Sequence, residues 1–374
     1  MRLHAEGMSR LGHEVTVLSG TPFSSNTETY AFAHLPELGA EFPLNLQVKE
    51  SVDKGQTDLH FQQYSQLLCD LLKPAAIAND VIFTYGSLTT HFNLALTQAL
   101  WKLADEHPVV AWVVDFTAVN SDYSLPCPDR APWNMVRKAH PKVTYVAPSL
   151  SRRNEIVKVF GLIPQSVPVI PSPFSPATVF GLSPELDKWL EKHALLESDI
   201  LFYCPARMLQ RKRLDLAIEM VEAIRKDGIS AALIATAAPT SQGNQMYGDY
   251  ICTLIKQKGL EQAVFLASTE NFWTEACWRG LFGVSDVLLF PSQYESFGNV
   301  LIEGFLHRVP VWHQGLDAFK DIGLGALVST PEEALEAARS LLKQPFYQMR
   351  KRLVRDLNLK SVCEKQILSL LKEF

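Results

Sequence analysis

The sequence predicts an α/β protein built from doubly wound parallel sheets, and three observations predict it. Short apolar runs rich in Val and Ile recur along the chain, and each is followed by a longer amphipathic stretch. The runs are continuous rather than alternating, the pattern of strands covered on both faces by helices. The chain has 374 residues, beyond the roughly 250–300 at which one core stops growing, so two such domains are expected.

In order, the strands expected in the first half are Val15–Leu18, Val81–Thr84, Val109–Val114 and Val143–Ala147. Those in the second half are Ile200–Tyr203, Ala231–Ala235, Val264–Leu266, Val287–Phe290 and Val309–Trp312. The clearest intervening helix is Arg213–Lys226: Leu214, Ala217, Ile218, Val221 and Ile224 fall on one face, and Gly228 stops it. Pro168, Pro171, Pro173, Pro176 and Pro184 crowd one stretch. Proline cannot continue a helix or a central strand, so this stretch reads as an interdomain hinge. Domains are therefore expected at 1–167 and 168–345. Residues 346–374 are expected to form C-terminal helices that cross back to the first domain.

Composition excludes several classes of protein. Hydrophobic residues make up 47% and charged residues 20% of an ordinary globular mixture, and the formal net charge is -5. No large basic field exists to hold nucleic acid. No apolar run approaches the roughly 18–20 residues that cross a bilayer. The N-terminus is amphipathic and carries acidic residues, unlike a signal or transit peptide. The six Cys are widely spaced, with no zinc or CxxC pattern, as in a protein kept reduced in the cytoplasm.

Three features of the second half carry chemistry, each where a strand ends and a helix begins, the place where open α/β sheets bind ligands. Arg207, Arg211, Lys212 and Arg213 follow the Ile200–Tyr203 strand. Cations at a helix N-terminus oppose its dipole at a cost of ~0.3–1 kcal/mol each, and a bound phosphate would reverse that sign. After Val287–Phe290 come Glu295 and then Gly298-Asn299, opening a helix that contains Glu303. Glu303 has Leu301, Ile302, Gly304 and Phe305 around it. A carboxylate buried there would need donors such as the hydroxyls of a sugar or ribose. Gly298 would let backbone approach a ligand closely. His313-Gln314-Gly315 is the third feature: Gly315 would leave room for phosphate, while His313 serves equally as a strand cap. Trp101, Trp112 and Trp133 read as core before sugar-stacking rings, and His91 and His140 as structural. Basic residues at Arg350, Lys351, Arg352 and Arg355 read as a solvated surface in preference to a peripheral membrane contact.

The string PSQYESFGNVLIEGFLHRVPV resembles the E-x7-E signature of family 4 retaining glycosyltransferases, the group 1 glycosyltransferases, and PARMLQRK resembles their Arg-x4-Lys element. LGHEVTVLSG, DVIF, PVVAWVVDF and RGLFGVSDVLLFPS extend the resemblance along most of the chain. It implies a GT-B architecture, two Rossmann-like domains facing a cleft, and a hexosyltransferase using a nucleotide-diphosphate sugar without cofactor or metal. The absence of an Asp-x-Asp motif agrees with that. By the same resemblance Arg207 and Lys212 hold the donor diphosphate, Glu295 meets hydroxyls of the transferred sugar, and Glu303 accepts from the ribose. Ser296, Phe297, Gly298 and Asn299 complete the donor-binding set. The acceptor would be a carbohydrate, a lipid-linked sugar or a small molecule.

The first half departs from the family. The chain starts inside the helix that leads to GHEVTVL, so the first strand and its glycine-rich loop are expected to be absent. Phe83 and Tyr85 stand where His is common, and Val114 with Asp115 stands where another His faces the donor sugar. Tyr85 and Asp115 are thus the acceptor-side candidates. These departures leave a second reading, a degenerate GT-B module that binds nucleotide or a partner protein without turnover.

Overall fold

The computed structural model describes residues 1–22, 29–54, 56–236, 242–267 and 273–374. The chain forms two compact units, Met1–Pro173 with Leu359–Phe374, and Phe174–Asn358. Both are α/β, and every strand pairing in either unit is parallel.

In the first unit β1 (Thr16–Ser19) pairs β2 (Ala31–His34), and β3 (Ile82–Tyr85), β4 (Val109–Trp112) and β5 (Val143–Val146) form a second sheet in that order. Side chains alternate across β4, so its two faces enter different cores. Val109, Ala111 and Val113 pack with Phe61, Leu68, Leu100 and Trp133. Val110 and Trp112 pack with Met8, Leu359, Val362 and Cys363, which brings the C-terminal segment against the first helix, Arg2–Arg10. The two meet closely at Gly7, where a Cβ would lie 2.4 Å from the Cys363 sulfur.

The second unit holds one six-stranded sheet: β6 (Ile200–Cys204), β7 (Ala231–Ala235), β8 (Val264–Leu266), β9 (Val287–Phe290), β10 (Val311–His313) and β11 (Ala326–Leu327). Their spatial order is β11-β10-β9-β6-β7-β8. All residues of β6, β7 and β9 are buried, as continuous apolar strands require. Ile200, Phe202 and Cys204 face helices Leu214–Lys226 and Pro331–Leu342, while Leu201 and Tyr203 face Leu186, Leu281 and Phe319. The chain adds strands outward from β6 on one side, then restarts at β9 on the other. The direction therefore switches between β6 and β9.

Several expectations need correction. The units divide at Pro173/Phe174 and Asn358/Leu359 rather than at 167 and 345. Helix Pro345–Asp356 stays in the second unit because Tyr347 joins its core, and three of its four basic residues are engaged there, while Arg352 stays exposed as expected. Arg350 and Lys351 bind the buried carboxylate of Asp286, and Arg355 binds Asp199. Two of the crowded prolines open helices, Pro176–Phe180 and Pro184–Lys192, at a position where no backbone N–H is needed. Strands β2 and β11 were not expected from sequence. The described cysteines are all free thiols, and no described helix is long and apolar enough to cross a membrane.

Candidate functional site

The candidate site lies where β6 and β9 end side by side. Adjacent strands place the segment after Cys204 next to the segment after Phe290, so residues far apart in sequence become neighbours. A backbone hydrogen bond of 2.8 Å from the Gln293 N–H to the Arg211 carbonyl ties the two segments. The Arg211 guanidinium donates to the Tyr294 carbonyl at 2.9 Å and lies over the Tyr294 ring.

Four cations follow β6, and the structure gives each a different setting. A short turn, Gln210–Lys212, folds Lys212 inward, and Arg213 then adopts a left-handed φ of 51° to start the helix Leu214–Lys226. Lys212 is 8% exposed. Its ammonium donates to a carboxylate oxygen of Glu295 and sits 5.1 Å from the centre of the Phe290 ring. Arg213 donates to Asp215 at 2.9 Å, and Asp215 also accepts from the Tyr247 hydroxyl at 2.7 Å. The helix start thus carries its own anion, and Arg213 is not the unopposed cation the sequence suggests. Arg207 is exposed, and its guanidinium has no hydrogen-bond or ion-pair partner among the described residues. The neighbouring Cys204 thiol is inert, since burial pushes its pKa up to about 12.

The segment after β9 supplies the opposite charge. Glu295 is largely buried and closed on Lys212. Ser296, Phe297 and Asn299 are exposed around it. Gly298 has φ 99° and caps helix Asn299–Leu306. A Cβ there would lie 2.6 Å from the Phe319 ring, so Phe319 and the turn explain this glycine, rather than close approach of a ligand. Gly315 is likewise explained by φ 77° and by Leu327, 2.8 Å from where its Cβ would be. His313 is buried, its Nδ1 is 2.9 Å from the Gly315 N–H, and burial holds its pKa below the usual imidazole value.

Glu303 departs from expectation. Only Leu301 and Gly304 of its helix are buried, while Glu303, Phe305 and Leu306 are exposed. Its carboxylate has no hydrogen-bond or ion-pair partner among the described residues, so no desolvation cost marks it out. It remains a free acceptor one helical turn from Asn299.

The two candidates in the first unit are already engaged. The Tyr85 hydroxyl is 2.9 Å from Nδ1 of His4, and its ring stacks on Trp112. Asp115 accepts from the Phe116 N–H at 2.9 Å and the Tyr123 hydroxyl at 2.8 Å, pinning its own loop. Both read as structural here. Trp112 and Trp133 are 1% and 2% exposed, which makes them core. Sequence reasoning missed the Asp215–Tyr247 pair and the Phe290 ring beneath Lys212, for which spacing gave no signal.

Residues 186–356 match the family model described as glycosyl transferases group 1. No curated protein matches the chain. Among solved structures, Anabaena Alr3699/HepE in complex with UDP and glucose aligns with TM-score 0.37 and 16% identity, over 83% of this chain and 82% of that one. A glycosyltransferase from Rickettsia africae aligns with TM-score 0.36 and 16% identity, over 100% and 93%. Sucrose-phosphate synthase from Thermosynechococcus elongatus aligns with TM-score 0.37 and 15% identity, over 100% and 92%. The second unit is thus similar to the group 1 glycosyltransferases over nearly all of its length.

Proposed function

We propose that this chain is a retaining, metal-independent glycosyltransferase of family 4 with GT-B architecture. It moves a hexose from a nucleotide-diphosphate sugar to an acceptor hydroxyl. The observation that carries the reading is the meeting of Lys212 with Glu295 where the strand order reverses, with Arg207 free beside them in sequence. Strand ends at such a switch point hold nucleotides, and a cation with a carboxylate there suits a diphosphate joined to a sugar.

In this reading Arg207 and Lys212 bind the diphosphate and Glu295 turns to the hydroxyls of the transferred sugar. Glu303 and the Ser296–Asn299 segment hold the ribose and the sugar from the other side. The bond from the anomeric carbon to the phosphate oxygen breaks, and its electron pair leaves on the diphosphate. The acceptor oxygen bonds to the same face of that carbon, and its proton passes to the departing phosphate oxygen. Charge grows on the diphosphate during this step, so fixed cations stabilise the transition state more than the bound donor. A cytoplasmic location suits the free thiols.

The test is release of nucleoside diphosphate from UDP-, GDP- and ADP-hexoses, measured with and without sugar acceptors. Release from at least one donor, lost in Lys212→Ala, is expected. A folded protein that binds nucleotide but turns over none of the donors would favour the non-catalytic module instead.

A further inference from the structure

The first unit contains a cavity of about 350 Å³ that the donor site does not use. That volume is within the range of small-molecule pockets, about 300–1,000 Å³. Its walls come from helix Pro43–Asp53, the start of helix Leu59–Ile77, the segment leading into helix Leu94–Ala104, and the loop before Trp133. All belong to one unit.

The cavity has two chemical halves. Val48, Val52, Phe61, Leu94 and Trp133 make an apolar floor, each of them buried, and the buried Asn45 beside them spends its amide N–H groups on the Ala40 and Phe92 carbonyls. Lys49, Asp53, His91 and Ser124 make a polar rim, and the Phe92 ring joins it at 39% exposure. Lys49 and Asp53 stand one turn apart on the same helix, yet neither forms an ion pair or side-chain hydrogen bond among the described residues. His91 is held in place: its Nδ1 is 3.0 Å from the Thr117 hydroxyl, and the rings of Phe92 and Tyr123 pack on it. That leaves Nε2 for a molecule in the cavity. Burial lowers the His91 pKa, Lys49 adding to the effect and Asp53 and Asp115 opposing it, which favours the neutral ring.

An ammonium, a carboxylate and a neutral imidazole on one rim do not select a simple ion, because Lys49 and Asp53 oppose each other. They suit a group that donates and accepts at several points, which is what the hydroxyls of a sugar ring do. The floor is too apolar for a bare sugar, because it would leave hydroxyls unpaired against Val and Trp side chains. A sugar with an apolar substituent satisfies both halves. We propose that this cavity binds a glycoside with an aryl or alkyl aglycone, the aglycone on the Trp133 floor and the sugar hydroxyls at Lys49, Asp53 and His91. Naming this molecule the acceptor rests on the transferase reading above; the binding itself does not.

Calorimetric titration of the full chain with p-nitrophenyl glycosides of glucose, galactose, mannose and N-acetylglucosamine tests the proposal. At least one should bind, the matching methyl glycoside at least tenfold more weakly, and p-nitrophenol alone at least tenfold more weakly as well. Lys49→Ala and Asp53→Asn change exposed positions, so the fold should persist, and each should weaken binding about tenfold. Rescue of Lys49→Ala by Lys49→Arg would confirm the hydrogen-bonding role. Nucleoside diphosphate affinity, titrated in the same samples, should stay unchanged in both variants. Failure of all four aryl glycosides to bind, or equal affinity in the rim variants, overturns the proposal. Loss of nucleotide binding alone would count against the donor site and leave this cavity standing.

Discussion

Glu295→Gln should strengthen binding of a free nucleoside diphosphate, the opposite of what loss of a binding residue usually does. The Lys212 ammonium is closed on Glu295, and only 10% and 13% of the two side chains are exposed. A diphosphate bound by Lys212, as proposed, must draw it away from that carboxylate. Removing one partner of a fully buried pair costs about 3–5 kcal/mol. Some exposure remains here, and the Phe290 ring 5.1 Å away keeps part of the stabilisation, so about 2 kcal/mol is expected. Glutamine has the same shape without the charge, so the variant should lose about that much stability when empty. It should recover the loss when the diphosphate supplies an anion, a gain of roughly 30-fold in affinity. The intact nucleotide sugar should gain less, since Glu295 is also proposed to serve the sugar hydroxyls. Calorimetry gives both affinities, and thermal melts with saturating nucleotide give the stability term. Equal or weaker diphosphate binding by Glu295→Gln would refute the reasoning.

Arg207→Ala should leave thermal stability within about 0.5 kcal/mol, because the side chain is exposed and unpartnered, yet lower kcat more than it raises KM; a change confined to KM would assign it to uniform binding. Asp286→Ala should cost about 3–5 kcal/mol by urea unfolding, because it strands Arg350 and Lys351 beside a buried position. A loss below 1 kcal/mol would show that the network is incidental. Burial holds the His4 pKa at about 4 against an ordinary 6.5. The unfolded chain therefore binds the extra proton between those values, and stability should fall as pH drops from 6.5 towards 4, by at most about 3 kcal/mol. His4→Gln should flatten that slope in pH-dependent unfolding, and an unchanged slope would exclude His4 as its source.

The nine strands expected from sequence are all present: β4, β6, β7 and β9 are apolar runs buried throughout, and β1, β3 and β8 are apolar runs only partly covered. The two that escaped notice lack that signature. Only four residues long, β2 is half exposed, and β11 has two exposed residues. Glu303 misled for a related reason: its helix has eight residues and buries only two of them, so apolar neighbours in sequence did not mean a buried carboxylate. The pairing of Lys212 with Glu295 joins residues 83 apart, and only the β6–β9 adjacency brings them together. Arg350, Lys351 and Arg355 read as a solvated surface from sequence because their partners, Asp286 and Asp199, lie far away along the chain, whereas Arg352 is solvated as it reads. His91 reads as structural from sequence, and its contacts with Thr117, Phe92 and Tyr123 agree; only the fold places Lys49 and Asp53 of helix Pro43–Asp53 on the same cavity rim.

Donor binding, as proposed, depends on Lys212 as the phosphate-binding cation beyond the end of β6. Titrating the full chain and Lys212→Ala with UDP, GDP and ADP tests that claim most directly. The wild-type protein should bind at least one of the three, and Lys212→Ala, still folded by circular dichroism, should lose at least 30-fold in affinity for it. Unchanged affinity in the folded variant, or no binding of any of the three by the wild type, would contradict the account.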